Sequence, residues 1–215
     1  MHVEVGYVVP AKVMIANVVA TGVLAYYAKD LIKKPLDILR TGLAAVFFSI
    51  FMQSFHMAVG PSELHFVGAM AMYLTLGFVP TLIGFAVGLL LQGVLFDPQD
   101  LGHLAVNSLS LIVPLIAVHY TMGKALLAKG ADVKWSQILK IDAAYYSGVT
   151  LMVGFWLAFG TVATPISAWA TFAASYLVIV VCEPVFTYAT LRLLNKHGDK
   201  RWVQTCFAVA NKGHV

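Results

Sequence analysis

Of the 215 residues, 60% are hydrophobic and 11% are charged, whereas an average soluble domain is roughly 45–50% apolar and about 25% charged. So few charges cannot cover a water-soluble fold of this size, and the length suits one domain of six or seven apolar spans of about 20 residues each. The net charge of +4 sits in clusters that read as a topology signal, and a nucleic-acid partner has no support.

The opening, Met1-His2-Val3-Glu4-Val5-Gly6-Tyr7, has neither a basic n-region nor a small-residue cleavage site, so the native amino terminus is expected to persist. Apolar runs then predict spans over Pro10 to Ala28, Leu39 to Val59, His65 to Phe78, Val79 to Phe96, Leu104 to Leu127, Ile141 to Thr161 and Ile166 to Leu191. The fold class expected is an all-α membrane protein, a polytopic bundle of seven transmembrane helices. The count is six if Ala69 to Phe96, interrupted by Pro80, crosses once. Cys182 and Cys206 lie far apart, which suggests neither a disulfide framework nor a cysteine metal site.

Translocated loops avoid positive charge. With seven spans and the amino terminus outside, thirteen of the fourteen basic residues fall in cytoplasmic segments and only Lys12 lies outside. The external loops carry Glu4, Glu63, Asp97 and Asp100. The carboxyl terminus is then cytoplasmic, and the chain is a multi-pass protein of the inner (plasma) membrane. It reads as a single transmembrane domain over 1–215: an external segment over 1–9, a helical bundle over 10–194 and a cytoplasmic tail over 195–215. Small residues four apart, Ala16 and Ala20, Gly84 and Gly88, Ala170 and Ala174, suit close helix packing in lipid or docking of a partner subunit.

Four of the seven histidines, His2, His56, His65 and His103, fall at or near the external face on this topology. Imidazoles converging there among acidic loops are what a divalent-cation site needs; the simpler reading is that they are polar anchors. His2 is the most informative. The free amine of Met1, the deprotonated backbone nitrogen of His2 and its imidazole Nδ1 close a five- and a six-membered chelate ring. One further imidazole completes a planar four-nitrogen set, which suits Ni(II) or Cu(II) better than Zn(II).

In His56-Met57-Ala58-Val59-Gly60-Pro61-Ser62-Glu63-Leu64-His65, Gly60-Pro61 predicts a turn between the second and third spans, with His56 and His65 on the flanking helix ends. Either ring could reach an amino-terminal segment folded into the bundle. His65 is the expected fourth ligand, with Glu63 and Ser62 as supports that fix its tautomer; Glu63 could equally be a solvated loop carboxylate. Asn17, Gln53, Gln92, Asn107 and Ser108 are expected to face the interior near the external side and tie helices together, and Asn107 could orient a ligand beside His103. Deeper in, Glu183 before Pro184 reads either as a functional intramembrane carboxylate or as a cap for backbone groups that the proline frees. Asp142 beside Lys140 reads as an interfacial charge. No catalytic residue set is apparent, and without a Gly-x-x-x-x-Gly-Lys-Ser/Thr loop the chain itself binds no ATP.

The Met1-His2 start with Gly6 and Tyr7, the Ser62-x-x-His65-x-x-Gly68 segment, and the span running from Pro80 through Gly84 and Gly88 to Gln92-Gly93 resemble the CbiM/NikM family, the cobalt and nickel substrate-binding membrane subunits of energy-coupling-factor transporters. The resemblance implies that Met1, His2 and His65 hold Co2+ or Ni2+ as transported substrate. It also implies partners: a transmembrane scaffold subunit, cytoplasmic ATPase subunits and a small accessory membrane subunit. Val3-Glu4-Val5 departs from the family's usual residues after Met-His, and Leu64 stands where a glycine is usual. His56 is a further candidate ligand. A rival reading is an intramembrane metalloenzyme with zinc or iron on His56, His65, His103 and His119. A third is a channel-like permease whose histidines are interfacial.

Overall fold

A computed structural model of the chain describes residues 3–130, 132–158 and 160–208; Met1 and His2 lie outside the described residues, as does His214. The first two helices, α1 (Pro10–Ile32) and α2 (Pro35–Ser54), both open on a proline, whose fixed φ and missing N–H suit the first helical position. A short antiparallel hairpin follows, β1 (His56–Val59) and β2 (Ser62–His65), with His56 opposite His65 and Gly60 at φ +60° in the turn. Then come α3 (Ala69–Leu76) and α4 (Phe78–Leu95). A 3₁₀ segment at Pro98–His103 leads into α5 (Leu104–Val118), which runs through a π-helical turn at His119–Gly123 into α6 (Lys124–Leu127). The long helices α7 (Trp135–Leu157) and α8 (Ile166–Lys196) and the short α9 (Arg201–Cys206) complete the chain.

Five segments, α1, α2, α4, the Pro98–Leu127 stretch and α8, are long and apolar enough to cross a membrane. The 23-residue α7 falls outside that set; it carries Lys140 and Asp142 within its length. The expectation of helix from His65 onward needs correction. His65 closes a strand, and α3 has 8 residues, a rise of about 12 Å against a hydrocarbon core of about 30 Å. His56, expected at a helix end, likewise lies in a strand. The turn at Gly60-Pro61 therefore joins two strands and not two helices.

The core is built by close approach of α2 and α4. A Cβ at Gly84 would sit 2.4 Å from Cβ of Ala44, and one at Gly88 would sit 2.6 Å from the Phe48 ring. With the backbones this near, polar side chains bridge them: Gln92 donates to the Ser49 carbonyl at 2.7 Å and accepts from Gln53 at 2.8 Å. Ala16 and Ala20 are buried against the bundle, whereas Ala170 and Ala174 on α8 face outward. Asn17, expected inside, is exposed.

Candidate metal centre at one end of the bundle

The chain enters the described part as an extended segment laid into the bundle. Val3 is fully buried and pairs with Ser62 in an isolated antiparallel bridge, and the Glu4 N–H donates to the Pro61 carbonyl at 3.2 Å. Both polar groups of Val3 are taken by side chains from the start of α5. Its N–H donates to Oδ1 of Asn107 at 3.0 Å, and its carbonyl accepts from Nδ1 of His103 at 3.1 Å. A carbonyl can only accept, so the His103 proton is on Nδ1. This accounts for two buried backbone groups that would otherwise go unpaired.

Further along, the Tyr7 carbonyl accepts the Thr161 N–H at 3.0 Å. Lys12 donates its ammonium to the carbonyls of Phe155 at 2.9 Å, Trp156 at 3.3 Å, and Ala158. These are carbonyls left without partners by the end of α7, where a cation is favoured.

His65 is buried, and its Nε2 lies 3.0 Å from Oε2 of Glu63, with Nδ1 3.5 Å from the Met52 carbonyl. The carboxylate fixes the ring as metal-bound histidines are commonly fixed. The His56 ring is exposed and lies 6.2 Å from the His65 ring, 28° from parallel. Ser62 Oγ and Asn107 Nδ2 are buried and have no hydrogen-bond partner among the described residues. Gly68, at φ +62°, turns the chain from β2 into α3 where a Cβ would meet the Phe51 ring at 2.8 Å.

The structure thus brings His65, Glu63, Ser62, His56, His103 and Asn107 to one region around the entering strand. His119 is elsewhere. It follows His103 along α5 by about 24 Å at ~1.5 Å per residue, bonds to the Tyr73 hydroxyl at 2.8 Å and stacks on Phe78 at 3.7 Å. The four-histidine set of the metalloenzyme reading does not assemble. No three His, Cys, Asp or Glu side chains converge on a metal-sized space among the described residues.

Sequence reasoning left the role of Glu183 open. It is fully buried, accepts the Met70 N–H at 2.9 Å and takes a hydrogen bond from the Tyr146 hydroxyl. It therefore caps the amino-terminal end of α3, and not backbone groups freed by Pro184. Asp142, expected as an interfacial charge, is fully buried beside it. The missed signal was the α3 start after Gly68, which demands an acceptor inside the bundle.

Two solved structures share the fold. One, described as a crystal structure of a transition metal transporter, has a TM-score of 0.77 at 19% identity, over 94% of this chain and 96% of that one. The other, described as a truncated transition metal transporter, has a TM-score of 0.76 at 20% identity, over 92% of this chain and 99% of that one. No curated protein matches the sequence. A family model, CbiM, described as the cobalt uptake substrate-specific transmembrane region, matches residues 2–200. With nearly its whole length covered, the chain belongs to the CbiM family and is a multi-pass inner-membrane component of transition-metal uptake, not an enzyme.

Proposed function

We propose that this chain is the substrate-capture subunit of an energy-coupling-factor transporter and that it takes Co2+ or Ni2+ through its first two residues and His65. The Met1 amine, the backbone nitrogen of His2 and the His2 imidazole form the chelate, and His65 supplies the fourth nitrogen. Glu63 orients His65, while Ser62, Asn107 and His103 hold the strand that carries the chelate. His56, exposed beside His65, is a further candidate ligand. The scaffold subunit, the ATPases and an accessory membrane subunit belong to the same proposal, since the sequence has no phosphate-binding loop of its own.

The orientation proposed has the amino terminus outside and the carboxyl terminus in the cytoplasm, with the hairpin and α3 together counted as one of seven segments. The basic residues clustered on the α1–α2, α6–α7 and α8–α9 connections support it. Residues 1–9 act as the capture arm, 10–194 as the bundle and 195–215 as the tail.

One observation carries the reading: Val3 is locked between His103 and Asn107 and paired with Ser62. Two residues span at most about 7 Å, which supports a chelate acting within reach of β2 and His65. Isothermal titration of purified protein with Co2+ and Ni2+ tests this. About one tightly held ion per chain is expected, and a single residue added before Met1 should abolish that tight binding; unchanged affinity in the extended chain would sink the chelate.

A further inference from the structure

Among the described residues, Asp142 and Glu183 are the two acidic side chains in the buried interior. They come from α7 and α8, and their carboxyls lie side by side. Glu183 is engaged by Met70 and Tyr146. Asp142 is hydrogen-bonded to Glu183 itself, and among the described residues the buried hydroxyls of Tyr145 and Thr187 have no hydrogen-bond partner. Tyr145 and Tyr176 lie within electrostatic reach of Glu183, and their rings flank Tyr146 at 5.1 and 5.3 Å. Thr187 follows Glu183 by one helical turn, on the same face.

Among the described residues, no lysine, arginine or histidine acts on either carboxyl. Carboxylates in hydrocarbon are costly unless something cationic offsets them, and they mark ion pathways. Two carboxylates balance one dication, and a set of carboxyl and hydroxyl oxygens suits a six-coordinate divalent ion. The cluster also begins directly beneath β2, because the Tyr176 hydroxyl faces the His65 backbone.

We infer that Asp142 and Glu183, with the hydroxyls of Tyr145, Tyr176 and Thr187, form an interior oxygen-donor site that accepts a divalent transition-metal ion passing inward from His65. The ion's origin at His65 rests on the capture site proposed above. As each metal–oxygen bond forms, any proton held on that carboxyl leaves to water, and the loaded site is neutral. Oxygen donors hold such an ion less tightly than imidazole and amide nitrogens, so the interior site lets it go.

Mn2+ is the probe, since it favours oxygen ligands and free and bound ions are distinguishable by electron paramagnetic resonance. The full chain carrying His65→Ala should still bind Mn2+, and adding Asp142→Asn and Glu183→Gln should weaken that binding roughly tenfold or more, the scale of a lost metal-site group. The amide at 183 keeps an acceptor for the Met70 N–H, and helical circular dichroism and elution volume check the fold. If the triple variant does not fold, His65→Ala with Asp142→Asn alone decides. Equal Mn2+ binding with and without the acidic pair, or none in either, overturns the inference. Tight Co2+ binding that survives His65→Ala would instead overturn the capture reading and leave the Mn2+ comparison valid.

Discussion

Asn107 at the start of α5 accepts the backbone N–H of Val3 at 3.0 Å in a fully buried setting. The bond spans nearly half the sequence and fixes where the chain's first residues can go. Asn107→Ala would leave a buried N–H unpaired, worth about 1–3 kcal/mol. Affinity for Co2+ should fall roughly 10–100-fold, while Asn107→Asp, which keeps an acceptor, should retain most of it. Equal affinities for the alanine and aspartate variants by calorimetry would remove Asn107 from the site.

Oε2 of Glu63 lies 3.0 Å from Nε2 of His65. Glu63→Gln keeps the volume and loses the charge that raises ring basicity, so metal affinity should drop about tenfold or more, with unchanged thermal stability without metal. A stability loss at unchanged affinity would make the carboxylate structural instead.

Glu183→Ala deprives the Met70 N–H and the Tyr146 hydroxyl of their acceptor inside the bundle. A lost cap costs about 0.5–2 kcal/mol, and a stranded buried donor about 1–3 kcal/mol. Detergent melting curves should show a clear fall in midpoint for the alanine variant and a smaller one for Glu183→Gln. Identical curves for the two would contradict the capping role.

Gly68→Ala combines a left-handed backbone, about 1–2 kcal/mol for a residue with a Cβ, with a contact of 2.8 Å to the Phe51 ring. Because this residue joins β2 to α3, the change should lower both the melting midpoint and Co2+ affinity. A variant as stable and as tight as the parent would show that the joint tolerates another backbone form.

The long apolar helices were legible because hydrophobic length and proline starts report them directly: Val79 to Phe96 is found as Phe78–Leu95, and Ile166 to Leu191 as Ile166–Lys196. Pro80 misled as a break. It sits in the first turn of α4, where proline is tolerated, and the break is at Gly77, at φ +99°. The hairpin was illegible because four-residue strands such as His56–Val59 carry too little alternation to be told from a helix end. Within the site, His65, His103 and Asn107 were readable as residue types near one membrane face. Their joint grip on the entering strand was not, because it depends on pairings 100 and 104 positions apart. The Asp142–Glu183 pairing was hidden for the same reason: each acid has an innocuous neighbour in sequence, and only the packing of α7 on α8 makes them face each other.

The amino-terminal arm is pinned at Val3, at Tyr7 and again at Lys12. A stretch moored at three points and covering under a dozen residues has almost no slack. Under the capture proposal, exchange of cargo at its tip would therefore not come from the arm swinging freely, and would need α5, the hairpin or the end of α7 to shift along with it.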